Sequence, residues 1–152
     1  MSNDQQEVSR RGSAAQDGDG HIRAITADQD GDLRRDGHQS LAAQISTKVV
    51  KLLSIYTGRG PTKARTTIDS NVIVVITDDS LTTAERNLAA AGESDSVVDM
   101  RRRFQSVMYA DAVAVIEELT GRTVRVFLSD ISPEENVAAH VFVLEPVPDL
   151  YP

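Results

Sequence analysis

The turn Gly58-Arg59-Gly60-Pro61-Thr62 is the most individual chemical feature of the sequence. Backbone amides of a glycine-bearing turn can cradle an anion, and an arginine beside them adds a charge-assisted bond. Together with Asp130, which follows an apolar run, the residues Gly58, Arg59, Gly60 and Thr62 make a candidate site for a small anion or a nucleotide. Two observations pull the other way. The turn closes a helical period, so it meets the negative end of that helix's dipole. It also lacks the Gly-x-x-x-x-Gly-Lys-Ser/Thr spacing of a phosphate loop. The competing reading is a rigid corner between a helix and a strand, with Asp130 as the residue that opens a turn.

Four other residue groups are rich in chemical side chains. Arg101, Arg102 and Arg103 are consecutive, so on a helix they point about 100° apart and do not form one patch. They read as a solvated face pairing with Glu93, Asp95 and Asp99, or, more sharply, as a face that docks a partner. Asp28-Gln29-Asp30-Gly31-Asp32 starts like a calcium loop, but its glycine is fourth rather than sixth, and Gln39 stands where the bidentate Glu belongs. A catalytic histidine needs a nucleophile and an orienting acid beside it. His21 and His38 sit in the N-terminal tail, and His140 reads as a half-buried strand residue sharing a face with Phe142 and Leu144. Asp78-Asp79 and Glu117-Glu118 are paired only along the chain: a loop with its cap, and the exposed side of a helix. No catalytic residue, metal site or cofactor is expected.

The elements that would position these residues follow from the apolar spacing. Leu41, Ile45, Val49, Leu52 and Tyr56 recur at helical steps, Ser40 is a suitable N-cap, and Gly58 followed by Pro61 ends the run. Thr62–Ile68 and Val72–Thr77 are β-branched runs separated by Asp-Ser-Asn, the pattern of a hairpin. The second run is apolar on both faces and predicts a central strand; the first predicts an edge. A short helix from Leu81 to about Ala91, capped from Asp78-Asp79-Ser80 or starting a residue or two later, stops at Gly92. A long helix from Ser94 or Ser96 to Thr120 carries the apolar set Val97, Met100, Phe104, Val107, Met108, Ala112, Val115, Ile116 and Leu119. Strands Thr123–Ser129 and Val137–Leu144 flank the turn-rich stretch 130–136 and form a second hairpin. The order α-β-β-α-α-β-β predicts a two-layer α+β fold: a four-stranded, mostly antiparallel sheet with helices on one face.

Composition sets the outer bounds. Residues 1–39 contain no aromatic residue and five of the nine glycines, which predicts a disordered acidic tail before a domain at 40–146 and a loose end at 147–152. The net charge of −7 is shared by tail and domain, which argues against nucleic-acid binding. With no cysteine, disulfides and thiolate chemistry are excluded. The N-terminus lacks a signal pattern and no run reaches the length of a membrane span, so direct membrane insertion is not expected and the expected location is cytoplasmic.

Gly58-Arg59-Gly60-Pro61, Thr120-Gly121-Arg122-Thr123-Val124, Ser129-Asp130-Ile131-Ser132 and Val141-Phe142-Val143-Leu144 together resemble one bacterial family. It is the MpsC-like family, formerly a domain of unknown function, named for the small soluble component of a sodium-translocating, membrane-potential-generating system. The resemblance covers roughly residues 40–146. It implies a non-enzymatic cytoplasmic accessory protein whose partner is a membrane-embedded ion-translocating protein, serving membrane potential or inorganic-carbon supply. It supplies no catalytic residues. Apolar helices and a sheet edge would serve partner contacts or a homodimer.

Overall fold

The computed structural model describes residues 39–147. The tail and the C-terminal end lie outside the described residues, except for Gln39 and Val147. The elements run α1 (Leu41–Thr57), β1 (Lys63–Asp69), β2 (Val72–Asp78), α2 (Thr83–Ala90), α3 (Ser94–Thr120), β3 (Val124–Ser132) and β4 (Val137–Leu144). All neighbouring strands are antiparallel, in the order β1-β2-β4-β3. The fold is the α+β arrangement of two hairpins expected from the sequence, with β2 and β4 central.

The ends of α1 and the start of α2 have local causes. Ser40 Oγ accepts from the Ala43 amide at 3.1 Å and caps α1. At the other end Gly58 takes φ +77°, a left-handed conformation that costs a side-chain-bearing residue, and its amide returns to Ser54 O. Gly60 lies close to the helix: a Cβ there would be 3.3 Å from Ser54 Cβ, a tight approach for any side chain at this corner. The start of α2 is the later of those the sequence allows. Thr82 caps it, in a reciprocal capping box with Glu85.

The core lies between the helices and one face of the sheet. Ile45, Val49, Leu52 and Leu53 of α1 and Met108, Ala112 and Ile116 of α3 close on Ile73, Val75, Phe127, Phe142 and Leu144. Phe127 and Phe142 stack across β3 and β4 with centroids 4.5 Å apart and planes at 8°. A smaller cluster of Leu81, Val97, Ile131 and Ala138 fills the far end. That cluster explains why β3 outlasts its expected end at Ser129. Alternation carries Ile131 into the core, so Asp130 is an outward strand residue rather than the start of a turn. The turn itself is confined to 133–136.

Phe142 is 1% exposed, and truncating such a ring costs about 3–5 kcal/mol. Urea unfolding of Phe142→Ala should show that loss; a loss below about 1 kcal/mol would contradict this packing.

Candidate functional site

The polar residues converge on one short segment, the link from β2 to α2 at 79–82. Its backbone bends through Asp79, whose φ is +55°. Side chains from three distant parts of the chain bond its backbone amides and carbonyls and the Asp79 carboxylate. Asn136, in the β3–β4 turn, accepts from the amides of Ser80 and Leu81 at 3.0 Å each and donates to Asp79 Oδ1 at 3.2 Å. Arg59 donates to the carbonyls of Asp79 and Leu81 and, at 2.8 Å, to Asp79 Oδ2. Chiefly because Arg59 donates to it, the Asp79 carboxyl is held below its ordinary range.

From α3, Arg101 donates to Ser80 O at 2.7 Å. Its guanidinium also grips both oxygens of Glu85, at 2.6 and 2.7 Å. The side chains are 11% and 2% exposed, so this is a buried, bidentate ion pair. Burial pushes the Glu85 carboxyl up, but the bonds from Arg101 and from the Thr82 amide outweigh it, and the net shift is downward. Arg101 is therefore not part of a solvated face, which corrects that expectation. The helix turns it inward, toward a carboxylate on α2 that a reading of neighbouring residues does not reach. Arg102 does behave as expected of a surface residue, 3.7 Å from Asp99 and 3.7 Å from Asp130. Arg103 is exposed.

The proposed anion residues are thus separated by role. Gly58 and Gly60 shape the corner, Thr62 donates its amide to Asp78 O, and Arg59 is committed to Asp79 and two carbonyls. Asp130 lies on the sheet face turned away from the helices, and its Oδ1 accepts from the next amide, that of Ile131. The rigid-corner reading describes this geometry.

One juxtaposition was not foreseen. Ser129 and His140 face each other across β3 and β4, with Oγ 2.9 Å from Nδ1. Strand alternation and hairpin register carry that signal, once β3 and β4 are paired. The contact resembles a nucleophile–base pair but has no carboxylate on the other ring nitrogen. His140 is 3% exposed, so it is fully rather than half buried, and Nε2 meets Thr77 Oγ1 at 3.4 Å rather than a carboxylate. Burial, followed by the charge of Arg101, lowers its pKa from 6.5 to about 4. The adjoining cavity, lined by Arg101, Gln105, Ser129 and His140, has a volume of about 20 Å³. That is room for a single water, far below the several hundred Å³ of a small-molecule site. Gln105, with its amide nitrogen toward Ser129 O at 2.8 Å and its oxygen toward Ser129 N at 3.1 Å, closes the edge of β3 here.

Arg122, from another of the family-like stretches, donates to Ser70 O at 2.9 Å and Glu145 O at 2.8 Å, tying both hairpins at the opposite end. The model of the family described as Na+-translocating membrane potential-generating system (MpsC) matches residues 38–146. The chain belongs to the MpsC family. No curated protein and no solved structure matches it. The match spans the whole described α+β domain, so Arg59, Arg101, Asn136 and Arg122 all lie within the MpsC region.

Removing one member of a buried ion pair strands the other, at a cost of about 3–5 kcal/mol. Arg101→Met should lose that much in urea unfolding, and adding Glu85→Leu should recover part of it. A double variant no better than the single one would contradict the coupling. The pH dependence has a defined sign. Unfolded His140 binds a proton near pH 6.5 and folded His140 only near pH 4, so stability falls as pH drops through that window, by about 3 kcal/mol. Glu85 adds to this only below its unfolded value of 4.5, because its folded pKa is depressed. Unfolding free energies at pH 7, 5.5 and 4.5 should show the slope, and His140→Gln should flatten it.

Proposed function

We propose that this MpsC domain is a non-enzymatic accessory component of a membrane ion-translocating system, acting on the cytoplasmic side through protein contacts. The family description carries the reading, because it names a Na+-translocating, membrane-potential-generating system for the matched region. The use of the apolar helix stripes supports it. α1 and α3 bury theirs against the sheet rather than offering them to lipid, and no helix among the described residues is long and apolar enough to cross a membrane. In this reading the ion path belongs to a membrane-embedded partner.

The docking face on the helical layer is the outward side of α3. Arg103 and Val107 are one turn apart there, both exposed, and Val107 is 70% exposed. Arg102 borders them and also reaches Asp130. Arg101, being internal, is excluded from that face.

Affinity capture with the tagged full chain from detergent-solubilised membranes should recover an integral membrane protein that moves Na+ when reconstituted into vesicles. Arg103→Glu combined with Val107→Glu should lose the partner while keeping the circular dichroism spectrum of the parent. Recovery of the chain without any membrane protein, or capture unaffected by the double substitution, would count against the proposal.

A further inference from the structure

The helices cover only one face of the sheet. Strand register lays out the other face as rows of side chains. The first row is Asp69, Val72, Val143 and Val126; the second is Thr67, Val74, Val141 and Leu128. The third is Arg65, Ile76, Ala139 and Asp130, and the fourth Lys63, Asp78, Val137 and Ser132. The middle of this grid is almost wholly apolar. Among the described residues no helix packs on it, and Leu128 is 57% and Val126 36% exposed. Contiguous apolar patches of more than a few hundred Å² mark interaction sites.

We propose that two copies of this chain pack sheet to sheet through this face, about a two-fold axis running along the strands. Size permits it. Strands of seven to nine residues, at about 3.3 Å per residue and about 4.8 Å between strands, give a face of about 500 Å². Two such faces bury about 1,000 Å² before side-chain relief is counted, where specific interfaces begin.

Charge placement selects a second copy and the direction of the axis. The third row has a cation, Arg65, at its β1 end and a carboxylate, Asp130, at its β3 end. A two-fold axis along the strands exchanges the two edges and keeps the row. It therefore lays Arg65 of each copy over the partner's Asp130, with Lys63 one row away. Asp130 is 63% exposed despite the approach of Arg102, so it is free to accept this contact. The alternative of extending the sheet edge to edge is disfavoured. Lys63 and Arg65 guard the β1 edge, and Gln105 occupies the β3 edge at Ser129. The apolar sheet face, rather than the sheet edge, is the self-association surface, whichever membrane protein the domain serves.

Sedimentation velocity of the full chain at micromolar to tens of micromolar concentration should show a dimer. Leu128→Lys, on an exposed position of an edge strand, should give a folded monomer. Arg65→Asp and Asp130→Arg, alone, should each weaken association about tenfold or more through like-charge contacts. Mixing these two single variants should restore it, because in that pairing both contacts again join opposite charges. A monomeric parent at about 100 µM, a dimer indifferent to Leu128→Lys, or single variants that fail to associate on mixing would each overturn the proposal.

Discussion

The buried pair between Arg101 and Glu85 is the constraint to which much of this domain answers. Taking two charges out of water costs several kcal/mol per ion, and only close, fully bonded geometry offsets it. The fold supplies that geometry with both carboxylate oxygens bound and a third bond from Arg101 to Ser80 O. Glu85 must then stand at the first turn of α2, where it also closes the capping box with Thr82. Arg101 must face inward from α3, so the two helices are registered by one interaction. The link at 79–82 is caught between them, and Arg59 and Asn136 extend the same network to the α1 corner and to the second hairpin.

Much of the architecture was legible in the residues. Helical spacing of Ile45, Val49 and Leu52 places α1, and the alternation of His140, Phe142 and Leu144 against Val141 and Val143 places β4 with its inner face. The role of Arg101 was not legible. Three consecutive arginines on a helix must point in different directions, but nothing local says which one turns inward. That depends on Glu85, 16 residues away on another helix. Two other signals were present and need only be read differently. Thr82-x-x-Glu85 is a capping box overshadowed by Ser80, and Leu128, Asp130 and Ser132 alternate with Ile131 as a strand should. At the candidate anion site the Arg59 guanidinium is already bound to a carboxylate and two carbonyls, an engagement with distant residues that the local turn does not reveal.

The short stretches that carry the MpsC resemblance take on a common meaning. Arg59 fixes the helix-to-strand corner and Arg122 ties the ends of two hairpins. Ser129 holds His140 in the core. They are residues that hold the domain's shape, and the two surfaces proposed for contacts lie elsewhere, on the outward side of α3 and the apolar face of the sheet. A rigid polar interior and two separate outer faces suit a domain that joins other proteins. The order of the polar interior is what keeps those faces apart, since the same α3 that presents Arg103 and Val107 outward turns Arg101 into the network.

The rigidity of the 79–82 segment is the most direct point of test. It is short, lies between elements and bends through a left-handed residue, yet the amides of Ser80, Leu81 and Thr82 all donate to side chains, at 3.0, 3.0 and 2.7 Å. Native-state hydrogen exchange read residue by residue measures the free energy needed to open each bond. The expected result is that these three amides exchange only through global unfolding, with protection matching that of Val75 in the central strand β2. Exchange at the rate of an ordinary exposed loop, while Val75 stays protected, would contradict the view that this network organises the domain.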